Sequence, residues 1–142
     1  MVFVSITRLR VRSWRFLPIF VFYALRSARQ AARAEGNLRA RLLREKNRTF
    51  WTATAWADDA AMKKFMLAGV HRVSMTKLPR WCDEASMVHW NQEGDALPAW
   101  NDAVERMRRE GRPSRVNHPS AAHTSYTFPD PPPGAKGEIH LK

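Results

Sequence analysis

A chain of 142 residues is long enough to bury one hydrophobic core unaided, and 44% of it is apolar, with six Trp and seven Phe. Its single cysteine, Cys82, excludes an internal disulfide framework and any multi-cysteine zinc site, so a reducing cytoplasm is the expected setting. The formal charge of +11 is lopsided: residues 1–48 hold twelve Lys/Arg against Glu35 and Glu45, while the remaining residues nearly balance.

The elements follow in chain order. Val2, Val4 and Ile6 alternate with Phe3, Ser5 and Thr7, which predicts a strand. "WRFLPIFVFYAL", Trp14 to Leu25, opens a helix that runs on through "RSARQAARA" to Gly36, with Pro18 suited to a first turn. About ten strongly apolar residues there fall short of the ~20 needed to span a bilayer. The segment also lacks a small-residue cleavage site, so a signal peptide is not expected. "LRARLLRE" (residues 38–45) and "TFWTATAWA" (residues 49–57) alternate again as two strands. In the second, Trp51 and Trp56 fall on opposite faces, and periodicity does not say which lines a pocket.

Asp58 and Asp59 are placed to cap a helix whose apolar stripe is Met62, Phe65 and Met66. Gly69 breaks it, and a second helix over residues 70–81 sets His71, Met75 and Leu78 at helical spacing. "SMVHW", Ser86 to Trp90, reads as a fourth strand, and Pro98 and Trp100 open a last helix closed by Gly111. From Arg112 the composition turns proline-rich. One domain is therefore expected over residues 1–111, followed by an extended arm and disordered tail over 112–142.

The order β-α-β-β-α-α-β-α is the split βαβ, or ferredoxin-like, α+β plan: one antiparallel sheet with helices on one face. Its other face carries aromatic residues and needs a cover. A second subunit is the expected one, giving a homodimeric α/β barrel with a pocket in each half.

Residues 52–75, "TATAWADDAAMKKFMLAGVHRVSM", resemble the strand–cap–helix–His segment of the antibiotic biosynthesis monooxygenase-like superfamily. With "WCDEASMVHW" at residues 81–90, they are most similar to its spheroidene monooxygenase-like branch. The resemblance implies a dimeric α/β barrel and, for His71, the place of an axial haem ligand. The haem-degrading members also use an Asn on the first strand and a Trp before the His. Here that strand offers Ser5 and Thr7, and the helix has Phe65, which argues against haem degradation and leaves haem binding open.

Several residues are candidates on this basis. His71 and Trp56 are the expected catalytic pair. His71, Phe65 and Met75 would surround a cofactor, with His71 on haem iron if haem is present. Phe50, Thr52, Thr54 and His89 would line the substrate pocket. For His71 the alternative is a core histidine whose ring bonds a backbone carbonyl; for His89 it is a place in solvent. Arg115, Asn117 and His118 suggest an ordered loop, with a turn capped by Asn117 as the plainer reading. Cys82, beside Asp83 and Glu84, is not expected to be a nucleophile.

No meaningful Ser–His–Asp spacing, Gly-rich phosphate loop or His-x-x-x-His is present, and the scattered glycines give no nucleotide fingerprint, which disfavours a flavin or nicotinamide enzyme. The expected activity is oxygen insertion into an apolar conjugated small molecule, either haem-dependent or with no cofactor. The alternative is non-catalytic binding of haem or a hydrophobic ligand, which the missing Asn favours. No nucleic-acid-binding motif accompanies the charge, so nucleic acid is not an expected partner. Contact of the basic N-terminal half with a membrane surface stays open.

Overall fold

The computed structural model describes residues 1–129 and 137–142. Strand β1 (Val2–Val11) leads through a 3-10 turn (Trp14–Phe16) into helix α1 (Leu17–Arg33). Strands β2 (Asn37–Glu45) and β3 (Thr49–Trp56) form a hairpin, followed by helices α2 (Asp59–Met66) and α3 (Gly69–Trp81). Strand β4 (Cys82–Gln92), helix α4 (Trp100–Glu110), strand β5 (Arg112–Pro113), helix α5 (Ala121–Ser125) and strand β6 (Glu138–His140) complete the chain. The sheet is antiparallel in the order β5-β4-β1-β3-β2-β6, and its central four strands have the ferredoxin-like order.

Alternation along β1 sorts the core into two sides. Phe3 and Leu9 face α1, α2 and α3 together with Phe50 and Trp56 of β3. Val4 and Ile6 face the other way with Trp51, Ala53 and Ala55, and pack on Trp100, Ala103, Val104 and Met107 of α4. The chain thus covers by itself the side for which a second subunit was the expected cover. Within the chain, the sheet stays open and does not close into a barrel.

The arm beyond Gly111 lies against the fold. β5 pairs with Ser86 and Met87, Ser120 caps α5 by accepting from the His123 N–H, and the Tyr126 hydroxyl donates to the Met107 carbonyl at 2.8 Å. Phe128 reaches the Trp51 ring at 6.0 Å. The five-residue α5 is too short for periodicity to reveal, which is why composition alone suggests an extended arm. Residues 130–136 of the proline-rich stretch, expected to be disordered, lie outside the described residues. β4 starts at Cys82, four residues before the predicted Ser86, because the Cys82 N–H already caps α3 through the Leu78 carbonyl.

Local chemistry accounts for the helix boundaries. Asp58 accepts from the Ala61 N–H at 2.8 Å and caps α2. α3 has no cap of its own, and Gln30 of α1 supplies one. Its side chain accepts from the His71 N–H at 3.0 Å and donates to the Ala68 carbonyl at 2.8 Å. No helix of the described residues is long and apolar enough to cross a membrane.

Candidate functional site

The helix side of the sheet carries a band of hydroxyls between two aromatic ends. Ser5 pairs with Thr54 on one side and His89 on the other, and Thr7 pairs with Thr52 and Met87. Residues directly opposite in an antiparallel sheet point the same way, so Ser5, Thr7, Thr52, Thr54 and His89 share one surface. All five are half-buried, whereas their neighbours Phe3 and Trp56 are closed off from solvent. The Trp56 indole N–H donates to the Thr54 hydroxyl at 2.9 Å, which holds that hydroxyl in place.

A row of rings borders this band. His89 lies on Phe3 at 5.2 Å, and Phe3 and Trp56 belong to one cluster. Trp56 stacks on Phe65 at 5.2 Å, and Phe65 meets His71 at 4.4 Å. The row joins two histidines that are 18 positions apart in sequence, on α3 and β4. Both imidazoles are pushed below their usual range, chiefly by burial. The positive charge of Arg112 adds to the effect at His89, and a backbone hydrogen bond opposes it at His71.

That bond is between His71 Nδ1 and the Met66 carbonyl, at 3.2 Å. A carbonyl only accepts, so Nδ1 carries the proton and Nε2 is left with its lone pair. His89 has no hydrogen-bond partner for its ring among the described residues. Of the two, it is the one beside the hydroxyls.

The remaining candidates separate. Phe50 sits at the far end of the band, packed on Phe20 at 5.0 Å. Trp51 is on the other side, its indole N–H donating to Glu45 at 3.0 Å. Met75 is 38% exposed on α3, away from the ring row. The side chains of Arg115, Asn117 and His118 are exposed, while the loop's backbone is pinned where the Asn117 N–H donates to the Pro79 carbonyl at 2.9 Å. Cys82 is buried, its thiol pushed up to about 12 by burial and then by the Asp83 charge, which leaves it inert as a nucleophile.

Alternation with Val4 and Ile6 placed Ser5 and Thr7 on one strand face in the sequence, but gave them no part in the pocket. Phe3, which links the two histidines, was legible only as part of that strand. Also missed was the ion cluster on the α4 side. There the buried Arg8 reaches Glu84 at 2.7 Å, Arg10 reaches Asp83 at 2.7 Å, and the Ser120 hydroxyl donates to Glu84 at 3.0 Å.

Haem is not supported by these residues. Phe65 lies against the His71 imidazole at 4.4 Å, and Met75 is exposed on α3. Two concavities border the α4 side and neither reaches His71. One, of ≈ 10 Å³, lies among Arg8, Glu84 and His123, and the other, a groove of ≈ 300 Å³, runs between Trp90 and Arg106. Among the described residues no three His, Cys, Asp or Glu side chains gather as a metal site.

A family model described as a domain of unknown function, DUF3291, matches residues 20–136. No curated protein matches. Among solved structures, SnoaB, a cofactor-independent oxygenase from Streptomyces nogalater, is 20% identical. The match covers 69% of this chain and 98% of that one, with a TM-score of 0.55. A candidate antibiotic biosynthesis monooxygenase from Nitrosomonas europaea is 16% identical over 65% of this chain and 90% of its own, with a TM-score of 0.58. At such identities the likeness is one of fold. Neither of the two is a spheroidene monooxygenase.

Proposed function

The chain belongs to the DUF3291 family and folds as the antibiotic biosynthesis monooxygenase-like proteins do. From that premise we propose that it is a cofactor-independent oxygenase of a flat, conjugated, weakly acidic small molecule, bound on the helix side of the sheet. The observation that carries the reading is the half-buried band of Ser5, Thr7, Thr52 and Thr54 with His89 at its edge. A face kept only for packing would be filled with apolar groups, since hydroxyls taken from water without partners cost about 1–3 kcal/mol each.

Each group then has a task. The half-buried band, bordered by the buried rings of Phe3 and Trp56, receives a planar ring system. Neutral His89 takes a proton from a methylene activated by a conjugated carbonyl. The hydroxyls donate to the enolate oxygen that forms. The carbanion passes electrons to dioxygen and a C–O bond forms, giving a peroxide. His89 returns its proton to the peroxide, then takes the second C–H proton as the O–O bond breaks and leaves a carbonyl in the product. The departing hydroxide takes that second proton from His89 as water. One methylene and one dioxygen become one carbonyl and one water, so no external reductant is required.

The test is oxygen uptake with an anthrone, a tricyclic ketone with such a methylene, after subtraction of its spontaneous oxidation. Turnover should exceed that background and fall about 100-fold or more in His89→Ala, the usual scale for losing a general base. Thr54→Val should fall less. Absence of any turnover by the wild type would reject catalysis.

A second reading, binding without turnover, is favoured by His71. Its ring is already occupied by the Met66 carbonyl and Phe65, as in an ordinary structural histidine. Saturable anthrone binding with no oxygen uptake would select it.

A further inference from the structure

The solvent face of α1 is apolar where a surface helix is ordinarily polar. Trp14 is 66% exposed, Ile19 45%, Phe22 54% and Leu25 40%. Single exposed apolar residues need no explanation, but Ile19, Phe22 and Leu25 recur at helical spacing, with Trp14 at the entry to the same helix. The opposite side of the helix is buried through Phe20, Ala28 and Ala31, so the first half of α1 is apolar on two sides. Along the outer stripe the second half turns basic: Arg26, Arg29 and Arg33 continue it, and Arg15 begins it.

These arginines have no carboxylate partner among the described residues, and residues 1–34 contain no Asp or Glu at all. Arg26 lies over Phe22 at 5.4 Å and Arg48 over Trp14 at 5.4 Å, so charge and apolar surface are interleaved.

We infer that this face of α1 docks on an anionic lipid bilayer, lying in the interface plane. Aliphatic and aromatic side chains enter the headgroup boundary, and guanidinium groups pair with lipid phosphates. The pairing of charge with apolar surface selects this occupant. A second copy of the chain would bring the same uncompensated arginines against themselves across a two-fold interface. A nucleic acid would satisfy the arginines and leave Ile19, Phe22 and Leu25 with nothing to bury against. The inference does not depend on catalysis.

Sedimentation with vesicles tests it, using the full chain with phosphatidylcholine alone and with about 30% phosphatidylglycerol added. Binding is expected only to the anionic vesicles, and should weaken as salt is raised. Arg26→Gln and Arg29→Gln should each lower partitioning about fivefold, the factor that corresponds to ~1 kcal/mol per basic residue at a charged surface. The pair Ile19→Ser with Phe22→Ser should lower it further. All four positions are exposed, and an unchanged melting temperature would show that the fold is kept. Equal binding to neutral vesicles, no binding to anionic ones, or indifference to these variants would overturn the inference. So would a wild-type dimer in solution that Phe22→Ser separates, which would assign the face to a second copy.

Discussion

His71 and His89 are both held toward the neutral form, and burial is the first cause at each. Their folded values lie below the ordinary 6.5, so as pH falls below about 6.5 the unfolded chain takes up protons that the native chain refuses. Stability should be fully present above that pH and decline beneath it, until the native imidazoles also protonate. Urea midpoints measured between pH 8 and 5 should show this decline, and a His71→Gln, His89→Gln double variant should flatten it. An unchanged profile in the variant would mean that neither ring is shielded as described. Much of this was out of reach of the sequence at the residue scale. Helical spacing placed His71 among apolar neighbours but could not tell a ligand from a ring bonded to a carbonyl. The break at Gly69, with φ of +55°, folds the chain so that residue 71 returns to the carbonyl of residue 66. Trp51 and Trp56 were likewise separated by alternation without being oriented, because period two gives two faces and no sign.

At the scale of elements, the caps written locally were readable and the one supplied from a distance was not. Asp58 is an acceptor just before a Met/Phe stripe, and it binds the Ala61 N–H as that pattern implies. Asp58→Ala should therefore cost about 1 kcal/mol of stability, visible as a lower urea midpoint with an unchanged slope. A neutral result would show that solvent replaces the cap. The start of α3 depends instead on Gln30, 41 residues before the His71 whose N–H it accepts from. Gly36 belongs to the readable kind: it adopts φ of +85° at the end of α1, and a Cβ there would lie 2.6 Å from that of Ala61. A glycine closing a helix announces the first requirement. Only the packed fold imposes the second.

At the scale of the whole molecule, the decisive feature is that the chain covers both sides of its own sheet. α4 seals Val4, Ile6 and Trp51, and residues 120–128 extend the cover over Arg8 and Glu84. Removing residues 112–142 would strip Phe128 and Tyr126 from that surface and the Ser120 hydroxyl from Glu84. The shortened chain should lose about 2 kcal/mol or more of stability and self-associate with rising concentration, by light scattering. A monomer of unchanged melting temperature would show that the arm is an appendage to a complete 1–111 domain.

The ferredoxin-like plan was determined by the sequence alone, because alternation, caps and a Gly-broken helix are local signals that the packed structure only had to agree with. The band of Ser5, Thr7, Thr52, Thr54 and His89 was half legible: each residue lay on a predictable strand face, yet three strands had to be brought into register before the five became one surface. The cover of the far side, the Arg8–Glu84 pair and the rings joining His71 to His89 were decided by tertiary structure. Each depends on contacts between distant residues, and those are chosen by the burial of the whole chain and not by any segment of it.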